Sequence, residues 1–117
     1  MRPIKKILRD LSPEKYYEQH LHIIHLFLPA QLTNKEIETL ALFMSLKGEL
    51  VEQDRFGTQC RKIVMEKMGI KPGGLGNYLR ALEEKSYIYK EGNKFRIREF
   101  LVPDHNVQGY QFLIQKK

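Results

Sequence analysis

Two amphipathic segments separated by a short break make up residues 61–85, RKIVMEKMGIKPGGLGNYLRALEEK. The break is bounded by Gly69, which favours a helix end, and by Pro72, which favours the first turn of the next helix. We predict one helix that begins at a Thr58 cap and a second that runs from Pro72 to Ser86. The residues expected to face inward are Cys60, Ile63, Val64 and Met68 in the first helix and Leu75, Tyr78, Leu79 and Leu82 in the second.

Another helix is predicted upstream, over residues 34–47. Thr33 and Glu36 have the spacing of a capping box, in which each side chain bonds the backbone amide of the other residue. Lys47 suits the negative end of the helix dipole, and Gly48 can take the left-handed conformation that closes a helix. The start signal at Thr33, the apolar face of the segment and the end signal at Gly48 all indicate the same helix.

The segments on either side of this helix have weaker patterns. Residues 48–57 are acidic and contain two glycines, so we expect a connection without regular structure. The sequence Ser12-Pro13-Glu14 is a good helix start, and apolar residues recur at helical spacing towards residue 27. The β-branched residues between 20 and 28 also suit a strand, and both interpretations stay open at this point. Pro29 ends the element in either case.

Two short segments of alternating polarity flank Gly92-Asn93. Residues 87–91 and 94–98 alternate with period two, and a two-residue Gly-Asn loop suits a β-hairpin. We expect Phe95 and Ile97 to point to one face, and Lys94, Arg96 and Arg98 to point to the other. Residues 107–115 alternate in the same way and are predicted to form a last strand.

The positive charge is concentrated in one part of the chain. The 117 residues carry 20 basic and 14 acidic side chains, a net charge of +6. Residues 61–98 alone contain ten basic and four acidic side chains, so their excess equals that of the whole chain. A localised basic surface is typical of proteins that bind polyanions. A solvated face that only keeps the protein soluble is the alternative.

The order helix, helix, tight turn, helix and basic hairpin resembles the winged helix-turn-helix family of DNA-binding domains over residues 33–99. The residues that carry the resemblance are Arg61–Ile70 and the helix after it, which ends in Leu79-x-x-Leu82-Glu83-Glu84-Lys85 and continues into Ser86-Tyr87-Ile88. The pattern is typical of the fold and says less about the ligand, because winged helices also bind proteins.

The resemblance implies an α+β fold with a winged helix-turn-helix core in a single domain. The core would occupy residues 31–99, with an extra N-terminal helix in an extension at 1–30 and a C-terminal β-strand in an extension at 100–117. Apolar residues within 1–30 and 107–115 suit a homodimer contact or another protein partner. The compact size would also suit a phage or mobile-element protein.

The resemblance also implies a DNA-binding surface on the second helix of the motif and on the hairpin. A helix fits the major groove, where Asn77 can pair with an adenine edge and Arg80 with a guanine edge or a phosphate. The other residues predicted to contact the DNA, mainly its backbone, are Arg61, Lys62, Lys71, Gly73, Gly74, Lys90, Lys94 and Arg96. We therefore expect a non-enzymatic protein that binds duplex DNA, a small transcriptional regulator.

Three glycines depart from the family pattern. Gly73, Gly74 and Gly76 stand where many members carry polar side chains, and each costs roughly 0.5–1 kcal/mol of helix stability relative to alanine. Either the backbone approaches a phosphate closely there, or this face packs against another protein. Base-specific recognition is expected to be modest. The second hypothesis is a structural or adaptor protein, for example a virion component, that uses the same face for protein contacts.

Other chemistry has little support in the sequence. His20, His22 and His25 lack a nearby fourth metal ligand, and Cys60 suits a small core residue. The carboxylates are scattered or paired with nearby bases, as Glu84 is expected to pair with Arg80, so we expect no enzyme, no metal and no cofactor. No apolar run approaches the roughly 20 residues of a membrane span, and we expect a cytoplasmic protein without a membrane partner.

Overall fold

The first helix begins where Ser12 and the proline after it predict it. The structure, a computed structural model, describes residues 12–103, and its first helix, α1, spans Pro13–Ile24. The Ser12 hydroxyl accepts a hydrogen bond from the Lys15 amide, and a 3₁₀ turn at His25–Phe27 continues the helix. This segment is therefore helical, and the strand interpretation is wrong.

The capping box of the second helix is confirmed. α2 spans Asn34–Ser45, the Glu36 amide donates to the Thr33 hydroxyl, and the Thr33 amide donates to the Glu36 carboxylate. The helix ends two residues before the predicted Lys47, because Leu46 takes an extended conformation.

The acidic segment contains a helix that we did not predict. α3 spans Glu49–Asp54 and follows Gly48, whose φ of 116° lies at the start of this helix and does not close α2. The expected irregular connection at 48–57 is therefore wrong. α3 buries none of its residues, so its sequence lacks the apolar face by which a helix is recognised.

Residues 58–84 form two helices joined by a short link, in the predicted order. α4 spans Thr58–Met68, α5 spans Pro72–Glu84, and three residues join them. Gly69 closes α4 in the left-handed conformation, with a φ of 65°. Thr58 is the first residue of α4 and not its cap, because Gly57 takes the N-cap position without a side-chain hydrogen bond.

The inward faces of these two helices are narrower than predicted. In α4, Ile63 is 36% exposed, and the face that packs inward consists of Cys60, Val64 and Met68, which follow one another at intervals of four residues. In α5, Tyr78 is only half-buried. The leucines Leu75, Leu79 and Leu82 are buried as predicted.

The hairpin is confirmed. β1 spans Ile88–Glu91 and β2 spans Lys94–Ile97; they pair antiparallel with Ile88 opposite Ile97. Gly92 takes the left-handed conformation in the two-residue loop. Phe95 and Ile97 are half-buried, whereas Lys94 and Arg96 are exposed, which agrees with the predicted alternation.

Within residues 12–103 the chain has an α+β fold of five α-helices and one two-stranded antiparallel sheet. α1 packs along α2, which also contacts α4 and α5. The largest fully buried side chains, which mark the centre of the core, include Leu21, Ile37, Leu40, Phe43, Leu75, Leu82, Tyr87, Ile88 and Leu101. The strand predicted at 107–115 lies outside the described residues. Among the described helices, none has both the length and the apolar composition of a membrane span.

Candidate nucleic-acid interface

The start of α5 presents few side chains to solvent. Lys71, Asn77 and Arg80 are exposed, whereas Gly73 and Gly74 contribute only backbone. No side chain caps the helix start, so the amides of its first turn have no capping side-chain acceptor. These five residues lie between positions 71 and 80, at the start and along the first part of α5, and are called the α5 group below.

The fold does not require glycine at the start of α5. A Cβ built at Gly73 or Gly76 would meet no described atom within 4 Å, and one at Gly74 would make ordinary contact with the Ile70 Cβ at 3.8 Å. All three glycines lie in regular helix, where alanine is favoured by roughly 0.5–1 kcal/mol per residue. They therefore cost helix stability without a visible benefit inside the described part of the chain.

The predicted cations of the hairpin have different surroundings. The Lys90 ammonium lies 5.4 Å from the centroid of the Phe95 ring, and the Lys94 ammonium donates to the Gln53 carbonyl of α3 at 2.6 Å. Arg96 is exposed and stands opposite Tyr89 of β1. A ring contact or a carbonyl acceptor does not neutralise a positive charge, so all three cations keep theirs at the surface.

Arg61 has a structural contact that the sequence did not predict. Its Nε donates to the Phe56 carbonyl at 2.6 Å, and its guanidinium lies 6.0 Å from the centroid of the Phe95 ring. Arg61 thus connects α4 to the hairpin and shares the Phe95 ring with Lys90. The neighbouring Lys62 is exposed.

Nine of the ten predicted residues form two groups, and Lys62 belongs to neither. The hairpin group consists of Arg61, Lys90, Lys94 and Arg96, which are connected through Phe95 and through the two strands. Among residues 12–103, no hydrogen bond or ion pair joins this group to the α5 group. α5 itself contacts β1, so the two groups lie on neighbouring elements of the fold.

Ion pairs within residues 12–103 leave both groups unneutralised. The four pairs are Lys15–Glu18, Lys35–Glu38, Lys67–Glu14 and Lys85–Glu36. The predicted cations that make no ion pair with any described residue are Arg61, Lys62, Lys71, Arg80, Lys90, Lys94 and Arg96. The expected pair between Glu84 and Arg80 does not form. The positive charge of these side chains is therefore available to an external anion.

Two residues that were not assigned to the site extend the hairpin group. The Arg98 guanidinium lies 4.5 Å from the centroid of the Tyr89 ring, and its Nε donates to the Ser86 carbonyl at 3.3 Å. Tyr89 also stands opposite Arg96 in the sheet. One tyrosine ring therefore contacts Arg98 and has Arg96 as its cross-strand neighbour. The period-two alternation predicts the face on which Arg98 lies. The position of Tyr89 beside both arginines follows only from the strand register of the structure.

Lys85 has an internal role. Its ammonium donates to the Gln31 carbonyl and to the Glu36 carboxylate, at 3.0 and 2.6 Å. Burial disfavours the charged form of Glu36, but hydrogen bonds from Lys85 and Thr33 outweigh it and lower the pKa of that carboxyl. Lys85 thus ties the end of α5 to the start of α2.

His20 of α1 and His25 of the 3₁₀ turn hydrogen-bond to the backbone. The Leu32 amide donates to Nδ1 of His25, and Nε2 of His20 donates to the Leu101 carbonyl. His22 and His25 have ring centroids 6.1 Å apart, but no cluster of three or more potential metal ligands occurs among the described residues. Burial raises the pKa of the Cys60 thiol, as expected for a core residue.

Compared with protein-family models, with curated proteins and with solved structures, the chain matches none.

Proposed function

We propose that this protein binds duplex DNA through the α5 group and the hairpin group, as a small transcriptional regulator with a winged helix-turn-helix core. The observation that carries the proposal is the set of seven cations on α4, α5, their link and the hairpin that make no ion pair within residues 12–103. Unpaired cations on adjoining elements are the main source of affinity for a phosphate backbone.

The two groups have different roles in this proposal. α5 lies in the major groove, where Asn77 and Arg80 can reach base edges, and Lys71 bonds a phosphate at the helix start. The hairpin lies along the flanking backbone, where Lys94, Arg96 and Arg98 neutralise phosphates. Arg61 supports the hairpin through its contacts with Phe56 and Phe95 and contributes its charge there.

Sequence preference is expected to be weak. The first turns of α5 hold glycines at positions 73, 74 and 76, so only Asn77 and Arg80 provide side chains that can distinguish bases. Backbone amides at a helix start attract phosphates without reading sequence. Most of the binding free energy is therefore expected to come from phosphate contacts.

The test compares two triple variants on one 20-base-pair duplex at low salt. Arg80→Ala/Lys94→Ala/Arg96→Ala is expected to weaken binding at least about tenfold, since three phosphate or base contacts are lost. The control variant Lys15→Ala/Lys35→Ala/Lys67→Ala removes the same charge from three ion-paired lysines outside both groups. If both variants lose affinity equally, the proposed surface is wrong, and only net charge matters.

An adaptor role is the second candidate function. Leu26, Phe100 and Val102 are large apolar residues that are 57%, 59% and 46% exposed, and exposed apolar side chains of this size favour contacts with protein. If the wild-type protein fails to bind duplex DNA at low salt, and Phe100→Ser lowers self-association measured by sedimentation, the adaptor role replaces the first proposal.

A further inference from the structure

Within residues 12–103, no strand or loop hydrogen-bonds to the outer edge of β2. The Arg98 amide donates to the Tyr87 carbonyl, and bonded pairs alternate in an antiparallel ladder, so residues 94, 96 and 98 bond towards β1. The amides and carbonyls of Phe95 and Ile97 therefore point away from β1. They make no hydrogen bond to any other group within residues 12–103.

A cleft of about 410 Å³ lies beside this edge. All four residues of β2 line it, and its other walls include Tyr17 of α1, Val51 of α3 and Phe56 of the turn after α3. A free strand edge next to a cleft is the arrangement in which an extended peptide adds a strand to a sheet. Its backbone would bond the outward groups of Phe95 and Ile97.

The side chains of β2 determine which peptide fits. Phe95 and Ile97 lie on the half-buried face, whereas Lys94 and Arg96 lie on the exposed face without a carboxylate partner among the described residues. Side chains directly opposite one another in a sheet interact, and opposite charges stabilise the pair. A complementary strand therefore alternates apolar residues, on the buried face, with acidic residues on the exposed face.

The same charges disfavour two other occupants. A second copy that paired through this edge would place the cations of its own β2 opposite Lys94 and Arg96, and like charges opposite each other are destabilising. The chain's own segment 107–115 alternates in polarity but contains no acidic residue. Glu52 and Asp54 also line the cleft, on either side of Gln53 in α3, and the Gln53 carbonyl accepts a hydrogen bond from the Lys94 ammonium. Lys94 therefore has to turn away from α3 to meet an acid of the peptide.

We propose that the free edge of β2 binds an extended peptide segment of a partner protein in which acidic and apolar residues alternate. The peptide forms a third, antiparallel or parallel, strand and pairs its acids with Lys94 and Arg96. This inference goes beyond the proposed function: the same two cations are assigned to DNA, so the acidic strand and the duplex exclude each other on the hairpin.

The test uses two blocked six-residue peptides, one alternating valine with glutamate and one alternating valine with lysine, titrated into the full chain in 50 mM salt. The glutamate peptide is expected to shift the amide resonances of Phe95 and Ile97 and to bind at least about fivefold more tightly than the lysine peptide. Lys94→Glu/Arg96→Glu is expected to reverse that preference, whereas Lys35→Glu, outside the cleft, keeps it.

The proposal is overturned if both peptides bind equally, if neither binds, or if the shifts omit Phe95 and Ile97. It is also overturned if these two amides are already protected from hydrogen exchange in the free protein, because the chain itself or a second copy then occupies the edge. No nucleic acid is present in this titration, so its result is independent of whether the protein binds DNA.

Discussion

His25 fastens the connection between α1 and α2 only while its ring is uncharged. Its Nδ1 accepts a hydrogen bond from the Leu32 amide at 3.0 Å, and protonation of that nitrogen would place two donors against each other. Burial, followed by the charges of His22 and Lys85, lowers the pKa of His25. Burial also lowers the pKa of His20, although its bond to the Leu101 carbonyl acts in the opposite direction.

These two pKa shifts predict an acid-sensitive fold. A histidine in the unfolded chain has a pKa of about 6.5, above its pKa in the folded protein, so the unfolded chain binds more protons between these two values. The stability that the neutral rings contribute is therefore complete above about pH 6.5 and is lost as the pH falls through the folded pKa. We expect the free energy of unfolding, measured in urea at pH 7, 6 and 5, to fall with pH. The fall should be shallower in His25→Asn than in the wild type, because the variant has no ring nitrogen at this position that protonation can disrupt. Equal slopes in His25→Asn and the wild type would contradict the role of His25 in this pH dependence.

The lowered pKa of Glu36 adds a separate loss of stability below about pH 4.3.

Arg55 donates hydrogen bonds to backbone carbonyls at the C-terminal end of α2. The sequence suggested Lys47 as the cation at this end of the helix. One guanidinium nitrogen donates to the carbonyls of Phe43, Met44 and Leu46 at 2.7 to 3.2 Å. We expect Arg55→Met to lower the free energy of unfolding by about 1–3 kcal/mol, because hydrogen bonds from a charged donor are lost. Lys47→Met, an exposed control, should change it by less than about 0.5 kcal/mol. Equal effects in chemical denaturation would show that Arg55 does not hold this end.

At the scale of elements, α5 combines a strong apolar face with a weak start. Leu75, Leu79 and Leu82 fix its position in the core, whereas its glycines oppose helix formation and touch nothing that requires them. The glycines are explained if a ligand approaches the first turns of α5 closely, as the DNA backbone does in the proposed function.

The double variant Gly73→Ala/Gly76→Ala separates stability from binding. Both methyl groups enter open space, so we expect the free energy of unfolding to rise by about 1–2 kcal/mol, measured by thermal or chemical unfolding. On a 20-base-pair duplex the same variant should bind more weakly, because the added methyl groups keep the backbone away from phosphate. Gly69→Ala is the control and should destabilise, since Gly69 has a φ of 65°. Unchanged DNA affinity in the stabilised variant would contradict close backbone approach.

Elements with paired start and stop signals could be predicted from the sequence, and the others could not. Thr33 with Glu36, Pro72 and Gly92 each act locally, so α2, α5 and the hairpin were found close to their observed positions. α3 was missed because it buries no residue. The roles of Arg55 and Arg61 depend on backbone carbonyls 5 to 12 residues away, which no spacing rule reveals.

At the scale of the whole molecule, charge is divided between internal and external use. Lys67 and Lys85 connect distant parts of the chain through Glu14 and Glu36, at 2.9 and 2.6 Å. The cations of the α5 and hairpin groups have no such partners within residues 12–103. The sequence located this excess in residues 61–98, but only the structure distinguishes the cations that are paired from those that are not.

Duplex binding through these cations is expected to depend steeply on salt. Affinity of the wild-type chain for a 20-base-pair duplex is measured between 50 and 200 mM salt, and each neutralised phosphate contributes roughly −0.9 to the log–log slope. With three to seven of the unpaired cations engaged, we predict a slope of about −3 to −6. Absence of binding at 50 mM salt, or a slope near zero, would contradict the assignment of these cations to DNA.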